Sequence, residues 1–197
     1  DYVDLYLIHA PFCKNERIEQ WRALVEIKRL GKAKSIGVSN YNQIHIEEIK
    51  SASLPIPEAN QIELHPWCQK LELVSYLRQN HIPIIAFSSL VPLSNWRSKE
   101  GENSSKSDQM KSDGEDPSSI FKVMANKYGV SEAQVLLKWA LQQGFAIIPK
   151  SSKQDRIKQN IDLDTFEIDE TDMQHLALLN RGDGGVAWPE GDPILIN

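Results

Sequence analysis

The stretch VDLYLIHAPFCKNERIEQWRALVEIKRLGKAKSIGVSN, residues 3–40, runs from an apolar segment through a helical period into a second apolar segment. Ile18, Trp21, Leu24, Val25 and Ile27 share one helical stripe, and Gly31 closes that helix. Strand, crossover helix and strand in succession are the repeating unit of a parallel sheet. The alternation continues downstream. A helix after Asn42 takes Ile44, Ile46 and Ile49 into its apolar share, and EANQIELH (58–65) reads as a third strand. A helix from about Leu71 to Gln79 precedes a fourth strand, IPIIAFSS (82–89), and FAIIPKS (145–151) is the fifth. Between these last two lies a longer helical region. Its second part begins at Ser131 with Gln134 three residues on, a capping box, and it packs through Val135, Leu136, Trp139 and Leu141 until Gly144. Ser151 or Ser152 is placed to cap a helix running to Asn160. Asp169 caps another carrying Met173, Leu176 and Leu179, and the tail from Arg181 reads as loop.

Composition narrows the function classes. With 197 residues the chain can bury a substantial core. A net charge of −5 argues against a nucleic-acid binder, which needs a cationic face. Cys13 and Cys68 make no disulfide framework and suit a reducing, cytoplasmic setting. No apolar run approaches the ~20 residues of a membrane span. The first apolar run begins almost at Asp1, with no basic-then-apolar leader, so an N-terminally truncated chain is the expectation. Residues 96–117 are rich in Ser, Lys, Asp and Glu and read first as a disordered surface insertion, second as a mobile lid.

Strands buried on both faces should be continuously apolar. Here the runs carry polar groups at or near their C-terminal ends: His9, Ser39 with Asn40, Ser88 with Ser89, and Lys150 with Ser151. Gln61 lies inside the third run, followed by Glu63 and His65. In an eight-stranded α/β barrel, ligands bind where strand ends and the following loops converge. An open doubly wound sheet also binds at carboxyl ends, but no G-x-G-x-x-G turn occurs here, so the barrel is preferred.

The strongest local chemistry is IPKSSKQDRIKQN (148–160). Free amides at a helix N-terminus favour an anion. Lys150 adds a point charge, Ser151 a hydroxyl donor and Arg156 a planar fork, a set suited to a phosphate monoester. Lys153 and Lys158 suffice for a solvated basic face, whereas Lys150 directly follows a proline at a strand tip.

The segments DYVDLYLIHAP (1–11), GKAKSIGVSNYN (31–42), ANQIELHP (59–66) and IPKSSKQDRIKQN, in this order and spacing, resemble the aldo-keto reductases. The resemblance spans nearly the whole chain and implies an α/β fold, a (β/α)8 TIM-type barrel, of which residues 1–197 form one partial domain with strands four to eight. It implies NADP as cofactor and reduction of an aldehyde or ketone to an alcohol. By the same resemblance His9 orients and polarises the substrate carbonyl, and Ser39, Asn40 and Gln61 hold the nicotinamide carboxamide. Phe87 stands where a stacking tyrosine is common. Ser88 and Leu90 lie beside the pyrophosphate. Lys150, Ser151, Ser152 and Arg156 match the 2′-phosphate site, and Gln159 with Asn160 the adenine contacts. Glu is usual at the position of Gln159, Trp at that of Ala10 and Pro at that of Ser89; Pro92 stands near a common hydroxyl donor.

The family's tyrosine acid, with the lysine and aspartate that tune it, comes from earlier strands. None of Tyr2, Tyr6, Tyr41, Tyr76 or Tyr128 sits in the matching context, so the expectation is a piece of a monomeric enzyme, inactive alone. A non-catalytic, cofactor-binding or regulatory barrel is the alternative. A phosphate-binding lyase or isomerase barrel would share the anion site but has no need of Ser39, Asn40 and Gln61 together. Glu63, His65 and His9 lack the spacing of a metal site, and no metal is expected. His45, His81 and His175 carry no expected chemistry.

Overall fold

The computed structural model of the protein describes residues 1–93, 116, 118–188 and 191–196. The expected polar loop 96–117 therefore lies outside the described residues, Asp116 excepted. Five strands, β1 (Val3–Ile8), β2 (Ala33–Ser39), β3 (Asn60–Glu63), β4 (Ile84–Phe87) and β5 (Ala146–Ile147), form one sheet in sequence order. The β1–β2 and β2–β3 pairs are parallel, with Leu7 opposite Gly37 and Ser39 opposite Gln61. Helices α1 (Arg17–Arg29), α2 (Gln43–Ser51) and α3 (Leu71–Gln79) alternate with the first four strands. Helices α4 (Ile120–Tyr128) and α5 (Glu132–Gln142) precede β5, and α6 (Gln154–Ile161) and α7 (Glu170–Ala177) follow it. Among the described residues no helix is long and apolar enough to cross a membrane.

The chain divides into two compact units: Asp1–Ile62, Lys70–Ile85 and Trp188–Asn197 in the first, and Glu63–Gln69 with Ala86–Ala187 in the second. In the first, the stripe of α1 delivers Trp21 into the core, where it is fully buried and its indole N–H donates to the Pro55 carbonyl at 2.8 Å. Ile36, Val38, Ile46, Ile49, Ile62 and Leu77 complete that core. Gly37 has a steric reason to be glycine: a Cβ there would lie 2.5 Å from the Ala59 carbonyl oxygen and 2.7 Å from Leu7 Cδ2. In the second unit Met124, Leu136, Leu137, Trp139 and Leu176 form the core.

Three expectations need correction. β1 is not buried on both faces: Val3 is 48% and Tyr6 47% exposed, and among the described residues β1 stands at the edge of the sheet beside β2. The third strand is shorter than EANQIELH, since His65 leaves the ladder to form a local bridge with Cys68. Neither Ser151 nor Ser152 caps α6. The cap position is Lys153, and Ser151 Oγ, two residues earlier, accepts from the Lys153 amide at 3.1 Å.

The tail is more ordered than a loop. Gly182–Gly185 and Pro193–Leu195 are 3-10 turns. Three side chains of the first unit hold its end: Lys70 pairs with Asp192, Asn42 Nδ2 donates to the Ile194 carbonyl at 2.6 Å, and His45 Nε2 donates to the Ile196 carbonyl at 2.6 Å. His45 Nδ1 meanwhile accepts from the Asn42 amide at 3.2 Å as half of the α2 capping box. Both ring nitrogens are thus used by a neutral, Nε2-protonated imidazole.

Candidate active site

In the first unit the tips of β1, β2 and β3 are stitched by side chains. Ser39 Oγ donates to the Gln61 carbonyl at 2.8 Å. Asn40 Nδ2 donates both to the His9 carbonyl and to Ser39 Oγ, each at 3.1 Å. Asn40 adopts a left-handed φ of 60°, a conformation that Asn tolerates better than most residues. Ser39 and Asn40 are buried, Gln61 is half-buried and His9 is exposed. With both amide hydrogens committed, Asn40 offers a ligand only its Oδ1, while Gln61 carries an amide able to donate and accept. The Trp188 ring lies 5.9 Å from that of His9, tilted by 47°. Sequence reasoning missed Trp188, because nothing local marks one aromatic in a Gly- and Pro-rich tail.

Of the tyrosines, Tyr41 is fully buried, and burial pushes its hydroxyl up to about 12. The Tyr76 hydroxyl donates to Glu47 at 2.5 Å, and that of Tyr128 to Asp172 at 2.6 Å. Burial raises the pKa of both. Glu63 and His65 serve each other: His65 Nε2 lies 3.2 Å from Glu63 Oε1, which also accepts the Ala187 amide at 2.8 Å.

The second unit holds a cavity of about 840 Å³, within the range of small-molecule sites. Ser88 and Leu90 line it after β4, and Lys150, Ser151, Arg156, Gln159 and Asn160 line it after β5 and along α6. Seven of the expected cofactor residues therefore meet at one cavity. Phe87, half-buried at the end of β4, and the exposed Ser152 are not among its lining residues. Ser88 has a left-handed φ of 57°, a strained conformation of the kind that collects at ligand sites. Helix α6 buries none of its residues, so its side chains remain available to the cavity. Residues Ser131–Ala133 at the start of α5 also line it. They were missed as site residues, although their capping box announces a helix start there. Two cations with a hydroxyl and amides suit a phosphate and a purine.

The family model described as aldo/keto reductase matches residues 1–181. The chain belongs to the aldo/keto reductase family. It is 38% identical over 181 residues to an uncharacterized oxidoreductase of Schizosaccharomyces pombe, covering 91% of this chain and 58% of that protein. It is 36% identical to the glyoxal reductase of Bacillus subtilis, covering 99% of this chain and 62% of that one. The chain thus spans about three fifths of the length of these curated relatives. Among solved structures, a mutant of Gox0644 in complex with NADPH matches with a TM-score of 0.81 at 34% identity, covering 100% of this chain and 64% of its own. A Bombyx mori aldo-keto reductase in complex with NADP matches at 0.77 and 32%, covering 92% and 58%. With these neighbours and a five-stranded parallel sheet, the fold is that of the aldo-keto reductase (β/α)8 barrel.

Proposed function

We propose that the protein is an NADP-dependent reductase of small aldehydes or ketones, a cytoplasmic monomer, and that this chain carries its cofactor grip and its carbonyl-orienting histidine. The observation that carries the reading is the cavity of the second unit. Lys150, Ser151 and Arg156 line one space with Gln159 and Asn160, which is the donor set for a 2′-phosphate beside an adenine. Ser152, on the exposed turn beside them, adds a hydroxyl to the phosphate side. Ser88 and Leu90 line the same cavity and would flank the pyrophosphate, with Phe87 one residue earlier to stack on the ring.

When bound, the reduced nicotinamide supplies a hydride. The chain's own residues do the positioning. Asn40 Oδ1 accepts from the carboxamide NH2 and the Gln61 amide donates to its carbonyl, while Ser39 keeps Asn40 in register through Oγ. His9 donates to the substrate carbonyl oxygen, polarising it toward hydride and holding it for protonation. The acid is none of the tyrosines named above. Tyr41 is engulfed in the core with its pKa moved away from neutrality, and Tyr76 and Tyr128 are engaged by carboxylates.

The test is a pair of affinities. Replacing Lys150 and Arg156 together by Ala should weaken NADPH about 10- to 100-fold, as expected for lost charge-assisted bonds, and leave NADH nearly unchanged. Equal losses for the two dinucleotides would remove the 2′-phosphate assignment.

A further inference from the structure

His9 is held along its backbone but scarcely at its ring. Its carbonyl accepts from Asn40, and the next two residues, Ala10 and Pro11, are buried, with the φ of Pro11 fixed by its own ring. The imidazole is exposed, and among the described residues no hydrogen bond or ion pair engages it. Its one ring contact among those residues is Trp188, with centroids 5.9 Å apart and planes tilted by 47°. That separation falls within the roughly 4.5–7 Å of favourable aromatic pairs. An exposed side chain otherwise samples several rotamers, whereas a donor that stabilises developing charge works only when it is aimed beforehand.

Trp188 is itself tethered. It is half-buried, and its carbonyl accepts from the Gly191 amide at 3.3 Å in a turn that needs the positive φ of 96° at Gly191. The following residue, Asp192, forms the buried ion pair with Lys70. The indole therefore lies against His9 four residues from an anchor in the same compact unit.

Resting on the assignment of His9 to the substrate carbonyl, we infer that Trp188 is a positioning residue for His9. Its ring closes one side of the space open to the imidazole and so keeps the N–H aimed at the carbonyl oxygen. Trp188 acts through His9 and does not select the substrate. The ties from Lys70, Asn42 and His45 to the tail then serve the reaction as well as the fold, because they hold the ring that holds the histidine.

Two measurements test it. Side-chain NMR should show the His9 ring protons displaced by the Trp188 ring current. They should return to the positions of an exposed, freely rotating histidine in Trp188→Ala and keep most of the displacement in Trp188→Phe. Identical His9 shifts in all three proteins overturn the contact. In the active enzyme, Trp188→Ala should lower kcat about tenfold, as a misaimed group does, for propanal and benzaldehyde alike, and Trp188→Phe should restore most of it. Made on His9→Ala, the same substitution should cost under about twofold, because the group it positions is gone. Equal costs on the two backgrounds, or a loss confined to benzaldehyde, overturn the positioning role and make Trp188 a wall of the substrate pocket, with the role of His9 left standing. An unchanged kcat in His9→Ala itself overturns the reading of His9 and the role of Trp188 together.

Discussion

The Asn40 side-chain amide donates to the backbone carbonyl of His9 at 3.1 Å, tying the tip of β1 to the tip of β2. The residue that orients the histidine's backbone is therefore also one whose own backbone is strained, at a φ of 60°. Stability and site geometry meet in one side chain.

Asn40→Ala should lose about 2 kcal/mol, combining a buried bond left unmade with an alanine forced into left-handed backbone. Asn40→Gly removes the backbone strain and should lose clearly less. Urea titrations compare the two, and equal losses would show that φ contributes nothing.

Stability should fall on acidification through His45. Burial lowers its pKa, the nearby Arg17 cation lowers it further, and the Ile196 carbonyl and Glu48 oppose them. A histidine with a lowered folded pKa contributes fully above its unfolded value of about 6.5, and that contribution is lost as pH falls through the folded value. The charged and titratable groups facing the ring are Arg17 on α1 and Glu48 on α2, with Tyr41 edge-on at 5.3 Å. His45→Gln keeps an acceptor for the Asn42 amide and cannot titrate, so its urea midpoint should fall less than that of the native protein between pH 8 and pH 5. Parallel curves would exonerate His45.

Gly37→Ala should destabilise by about 3 kcal/mol or more, at the upper end for overpacking, since its new methyl meets backbone at Ala59 as well as the side chain of Leu7. Thermal melts report it. A shift of under about 2 °C would mean that β2 and the Ala59 segment separate freely.

In the active enzyme, His9→Ala should lower kcat for carbonyl reduction about 100-fold or more, the loss typical of a removed charge-stabilising donor. Fluorescence titration should find NADPH affinity nearly unchanged. A large loss of affinity instead would make His9 a structural residue.

Legibility followed the range of the forces. The Ser131–Gln134 and Asp169 caps were readable because a cap is written within four residues. The cap of α6 was misread for the same local reason: two serines looked equivalent, and only the fold shows Ser151 already engaged with the Lys153 amide. The cluster from Lys150 to Asn160 was legible because charge, proline and helix start lie in one segment. Trp188 beside His9 and Glu132 in the cavity were not, because each depends on segments brought together over a long separation. The resemblance supplied roles for Ser39, Asn40 and Gln61, but not the internal bonds that leave Asn40 one free acceptor.

The anchoring of Asp192, Ile194 and Ile196 by Lys70, Asn42 and His45 has a consequence for biosynthesis. These contacts join positions 122, 152 and 151 residues apart. During vectorial synthesis the first unit must wait, its tail sites empty, until the whole of the second has left the ribosome. A nascent chain stalled before Asp192 should therefore hold a first unit more open to protease than that of a chain extended past Ile196.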